Sequence, residues 1–188
     1  MKKQMLFLFK ILLVLLTSVQ SAQAYETIAV KFPLYQGWRM VDYKPVKPEP
    51  MVHYAPSGHF KDDYTEAVIC KSFKSNQKTA SYVQTVLNKE LSKITNGDTN
   101  IKINPIEAKG NDTMQWWCAT LEGEGRHCEI MRATPSHEGV MLIRYINKNE
   151  QEFFQKKAEW IERVKNSAVF YSYYRTNYVL DKDIYFEL

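Results

Sequence analysis

Residues 114–146, MQWWCATLEGEGRHCEIMRATPSHEGVMLIRYI, constrain the fold of this chain more than any other stretch. Three β-branched and aromatic runs are separated by two glycine-bearing turns, Gly123-Glu124-Gly125 and the segment from Pro135 to Gly139. That pattern predicts an antiparallel three-stranded meander. Folding the first hairpin about Gly123 sets Cys118 opposite Cys128, Trp116 opposite Ile130 and Trp117 opposite Glu129. Facing residues in such a pair stand about 4.5–5.5 Å apart at Cα, a span that a disulfide tolerates. Alternation loads both faces with apolar groups: Trp116, Cys118 and Ile130 on one, Trp117, Ala119, Leu121 and Met131 on the other. A sheet apolar on both faces needs cover on both.

Two amphipathic segments offer that cover. Tyr82, Val83, Val86, Leu87, Leu91 and Ile94 recur at helical spacing, with Ser81 and Gln84 as a capping box and Gly97 as a stop. On that helix Lys89, Glu90 and Lys93 are expected on or near the wet side. Asn149, with Glu152 three residues on, caps a second helix, whose acidic first turn and basic last turn complement its dipole. Its expected core stripe is Phe153, Phe154, Ala158, Ile161, Val164 and Ala168, with Trp160 beside it. Further strands are expected at 27–32, 51–54, 64–73 and 101–108. Pro105 marks a bulge or an edge, and the proline-rich run 44–50 an extended connection or an edge. The order of elements predicts an α+β domain, an antiparallel sheet with helices on both faces in an α/β/α sandwich.

The first residues speak to compartment. Lys2 and Lys3, an apolar core from 5 to 16 broken by Lys10, and Ala22-Gln23-Ala24 have the pattern of a secretory signal peptide spanning 1–24, cleaved after Ala24. The alternative is an uncleaved anchor, but the core is shorter than the about 20 residues of a membrane span. No cysteine stands at the cleavage point, so a soluble periplasmic or secreted product without a lipid anchor is expected. The remaining 164 residues suit one domain, 25–170, followed by an aromatic extension, 171–188. Of the formal charge of +4, three positive charges belong to Lys2, Lys3 and Lys10. What remains is close to neutral and lacks the basic footprint of a nucleic-acid binder.

Three cysteines in an exported chain imply one disulfide and one leftover thiol. Hairpin register favours Cys118–Cys128, and closing that short loop stabilises by roughly 2–3 kcal/mol. Cys70, in the run Ala67-Val68-Ile69-Cys70, reads as a buried thiol, though its pairing with either of the others is compatible with sequence.

Phe32-Pro33 followed by Gly37-Trp38, with Ser167-Ala168-Val169-Phe170 after the last helix, resembles the opening and close of PsbP-like and DcrB-like domains. The resemblance spans 27–170 in element order. It implies an α/β/α sandwich and action by binding partners, since relatives include a photosystem II extrinsic subunit, envelope proteins and a Ran-binding nuclear protein. No shared catalytic set comes with it. The chain departs from the pattern by running eighteen residues past Phe170.

Motifs for chemistry are weak. Ser57-Gly58-His59 lacks a nucleophile elbow, and His127 points away from its neighbour Cys128 along a strand. His53, His59, His127 and His137 show no metal-ligand spacing, leaving only a distant combination of His59 with Asp62 or Asp63. Asp98, Asp181 and Asp183 lack a calcium loop, and Glu122, Glu124, Glu129 and Glu138 read as solvated turn residues. Asn111-Asp112-Thr113 is a glycosylation sequon, meaningful only in a eukaryotic secretory pathway. No cofactor is expected. The tail supplies the partner-binding candidates Tyr171, Tyr173, Tyr174, Arg175 and Tyr178, residue types enriched in interface hot spots, unless it docks on its own domain as an added strand. Together these features predict a non-enzymatic exported domain that binds a protein partner. The alternative is a small secreted hydrolase built from the 57–63 loop and the hairpin turns.

Overall fold

The computed structural model describes residues 25–33, 36–44, 50–60 and 62–172. The expected signal peptide, most of the proline run, and Tyr173, Tyr174, Arg175 and Tyr178 lie outside the described residues. Among those described, the strands are β1 (Tyr25–Ala29), β2 (Arg39–Lys44), β3 (Met51–Ala55), β4 (Glu66–Lys74), β5 (Asn104–Ile106), β6 (Thr113–Leu121), β7 (Gly125–Pro135), β8 (Gly139–Asn147) and β9 (Ala168–Ser172). The helices are α1 (Ala80–Ile94) and α2 (Glu150–Lys165).

The meander forms the centre as expected. β6 pairs β7 with Cys118 on Cys128, Trp116 on Ile130 and Trp117 on Glu129, and β8 then pairs β7 and β4. Every neighbour is antiparallel, in the order β2-β3-β4-β8-β7-β6-β5. Gly139 admits β8 at the end of β4, since a Cβ there would stand 2.0 Å from the Phe73 carbonyl oxygen. β5 is only three residues long and carries Pro105, so this edge of the sheet is short and blunted. The run expected as a strand over 101–108 pairs only at its centre.

Each face is covered by one helix, which confirms the α+β sandwich. On one side Phe153, Trp160 and Val164 of α2 lie on Met114, Cys128, Ile130, Ile143 and Tyr145. On the other, Val83, Val86 and Leu87 of α1 lie on Trp117, Met131, Ala133, Val140 and Leu142. Phe32 and Trp38 complete the α2 side. Their rings stack at 5.0 Å, and Trp38 meets Trp160 edge-on at 5.1 Å. The residues that carry the family resemblance are thus a core lock between the chain's entry and α2.

Several local expectations need correction. The N-cap of α1 is Thr79, whose hydroxyl accepts from the Tyr82 amide, while Gln84 bonds Asn88 instead of closing a capping box at Ser81. Asn149 does cap α2, accepting from the Glu152 amide. The buried stripe of α2 runs Phe153–Trp160–Val164, so Trp160 sits at its centre, whereas Phe154 is 46% exposed and Ala158 faces solvent. Ala168 is not helical. Arg132 of β7 donates to the carbonyls of Val164 and Ser167, ending α2 and anchoring its last turn to the sheet. The chain then enters β9, which pairs β1 in a separate two-stranded sheet. β9 crosses position 170, so the backbone of Tyr171 pairs with Glu26.

Candidate functional site

Cys118 and Cys128 form a disulfide, with Cα atoms 4.1 Å apart, on the α2 side of the sheet. Cys70 is free and buried in the same core, and burial pushes its thiol up to about 12. A thiol so protonated and enclosed is inert at neutral pH.

The loop expected to serve a hydrolase is occupied with its own geometry. His59 Nδ1 accepts from the Thr65 amide at 3.2 Å, the Ser57 amide donates to the Gln36 carbonyl, and the Phe60 amide donates to the Asp63 carbonyl. Among the described residues, His59, Asp62 and Asp63 do not converge with a third metal-ligating group. A small cavity at the end of α2, about 70 Å³, is lined by Ala108, Asp112, Met114 and Arg132. It is far below the several hundred Å³ of an ordinary ligand site.

Sequence reasoning missed a buried ionic chain on the α1 side. Glu129 is fully buried in mid-strand, correcting the reading of it as a solvated turn residue. Arg144 of β8 grips it with two guanidinium hydrogen bonds, one of them Nε to Oε2 at 2.9 Å. His127 Nε2 lies 2.6 Å from Glu129 Oε1, its ring stacks on Trp117 at 5.5 Å, and Glu124 stands 3.5 Å from its Nδ1. Burial alone would raise the Glu129 carboxyl, but the Arg144 guanidinium and the His127 imidazole overcome it and hold it down at about 2. Glu90 is also buried, correcting its expected wet-side position. It falls seven residues after Val83 on the inner stripe of α1 and pairs with Lys71 and with Arg144 Nη1 at 3.5 Å. The signal was present in the charges set inside apolar strands, above all Arg144 in Met141-Leu-Ile-Arg144-Tyr-Ile146. Arg144 and Lys71 thus oppose Glu129 and Glu90 across the helix–sheet contact. The arrangement binds α1 to the sheet.

The surface offers a different feature. Phe154 of α2 and Trp116 of β6 meet edge-on at 5.7 Å, and Lys157 lies over both rings, 4.2 Å from the Trp116 centroid and 5.1 Å from that of Phe154. Trp116 is half-buried, resting on Phe153 below.

No protein-family model matches the sequence, and no curated protein matches it. Solved structures do match. The Ran-binding protein Mog1p of Saccharomyces cerevisiae is 10% identical over 78% of this chain and 95% of its own, with a TM-score of 0.49; a point mutant of Mog1 gives the same identity and coverage with 0.50. Cyanobacterial PsbP from Synechocystis sp. is 16% identical over 81% and 96%, with 0.48. LpqN, involved in cell envelope biogenesis of Mycobacterium tuberculosis, is 9% identical over 80% and 87%, with 0.41. At such identity the likeness concerns architecture and not task. An antiparallel seven-stranded sheet between two helices gives this chain a fold similar to that of Mog1.

Proposed function

We propose that the chain is an exported, non-enzymatic domain that binds a protein partner in a periplasm or outside the cell. The observation that supports this most is the platform of Phe154, Trp116 and Lys157. An exposed phenyl ring beside a half-buried indole offers aromatic types enriched at protein interfaces, and Lys157 holds a positive charge over both. The 171–188 extension, with Tyr171, Tyr173, Tyr174, Arg175 and Tyr178, is a second candidate surface. Export rests on the signal-peptide pattern of 1–24, and no described helix is long and apolar enough to cross a membrane.

The test is saturable binding to a partner isolated from the envelope of the producing cell, measured with purified components. Phe154→Asp should weaken it at least about tenfold without lowering the melting temperature, as expected for a hot-spot ring at a surface position. Removal of 173–188, which spares β9, then assigns or excludes the tail. Full affinity in both variants would eliminate both surfaces.

A further inference from the structure

Where the β6–β7 hairpin meets the start of α2, Cys118 Sγ, Cys128 Sγ and a carboxylate oxygen of Glu150 all lie within 4.8 Å of one another. Cys128 is buried, while Cys118 and Glu150 are partly open to solvent. Two sulfurs and one carboxylate are a donor set for zinc. Ligands around one zinc, each at about 2.0–2.3 Å, stand roughly 3.5 Å apart, so once the S–S bond is broken the two sulfurs must part while the carboxylate moves in. In the disulfide form the sulfurs are bonded to each other, and Arg126 neutralises Glu150 through Nε at 2.9 Å and Nη2 at 2.5 Å.

We propose that Cys118, Cys128 and Glu150 are a redox-gated metal site, closed as the disulfide and taking one zinc-like divalent ion as the dithiol. An external dithiol reductant supplies two electrons and two protons, breaking the S–S bond to give two thiols while it becomes a disulfide itself. The metal then displaces the two thiol protons, and the Glu150 carboxylate exchanges Arg126 for the ion. Three protein ligands leave a fourth position for water or a partner's donor. The site does not rest on the protein-binding reading, since its loading is measured on the chain alone.

The purified full chain, reduced with a phosphine and stripped of metal, is titrated with Cd²⁺ while the thiolate-to-cadmium charge-transfer absorption is followed. One equivalent should bind and be displaced by Zn²⁺. The oxidised chain and Cys118→Ser should show no band, Cys70→Ala should bind unchanged, and Glu150→Gln should lose about tenfold or more in affinity. No band in a reduced chain that keeps its near-ultraviolet circular dichroism overturns the site, as does a band that survives Cys118→Ser. If reduction loosens the fold, one equivalent of Zn²⁺ should restore that dichroism, and failure to restore it overturns the site equally.

Discussion

The two faces of the sheet hold their helices by different means. Under α2 the contact is aromatic: Tyr145 stacks on Trp160 at 4.0 Å and parallel to Phe153 at 6.3 Å, while Phe32 and Trp38 close over Trp160. Charges on that side stand at its margins, where Arg132 pairs with Asp112 at one end and Lys156 with Glu66 at the other. Under α1 the fully buried apolar residues of the helix are Val83, Val86 and Leu87, with Tyr82, Leu91 and Ile94 partly buried around them, and the helix also carries Glu90 inward onto Arg144 and Lys71, with Glu129 behind. Apolar area is insensitive to pH and forgiving of small shifts. A buried ion pair depends on both partners, because removing one leaves a charge without water or counter-charge. The same sheet is thus robust on one side and conditional on the other.

The difference can be broken in order of size. Trp160→Ala removes the centre of the aromatic layer and should cost about 4–5 kcal/mol in denaturant unfolding, with little dependence on pH. On the other face Arg144→Met strands Glu129 and should cost about 3–4 kcal/mol. Adding Glu129→Leu should recover part of that loss, because Glu90 retains Lys71 while His127 loses its Glu129 partner. Equal losses in the single and double variants would show that packing, not charge, holds this face.

Acid should distinguish the faces next. Glu129 has a folded-state value near 2, below the about 4.3 of a free glutamate, so its contribution is present above about pH 4 and is lost as pH falls towards 2. The expected loss is on the order of 2–3 kcal/mol across that window, measured by denaturation at each pH, and it should be absent from the Arg144→Met, Glu129→Leu double variant. The smallest effect belongs to a helix end: Asn149→Ala removes the cap of α2 and should cost about 1 kcal/mol.

Much of the scaffold is legible in the sequence. Period-two alternation and two glycine turns placed Cys118 against Cys128, because strand register follows directly from turn position. Asn149 was legible as a cap because its bond to the Glu152 amide spans only three residues. β2 was not foreseen, and β9 only in the reading of the tail as an added strand, since both are short strands whose pairing depends on distant partners, β3 and β1. The candidate surface was foreseen in kind and not in place. The aromatic tail drew attention, whereas Phe154 was assigned to the core because periodicity alone cannot say which of two adjacent phenylalanines a helix turns inward.

By itself the sequence determined the hairpin register, the two helices and the need to cover both faces, and it favoured the Cys118–Cys128 pairing that the structure then selected. These are set by local turns, caps and periodicity, which act over a few residues. Tertiary structure alone decided that Glu90, Glu129 and Arg144 meet in the interior, and that Trp116, Phe154 and Lys157 meet at the surface. Those groupings join β6 to α2 and α1 to β7 and β8. Whether a charge is costly or stabilising, and whether a ring is core or contact, depends on the neighbour that the fold brings to it.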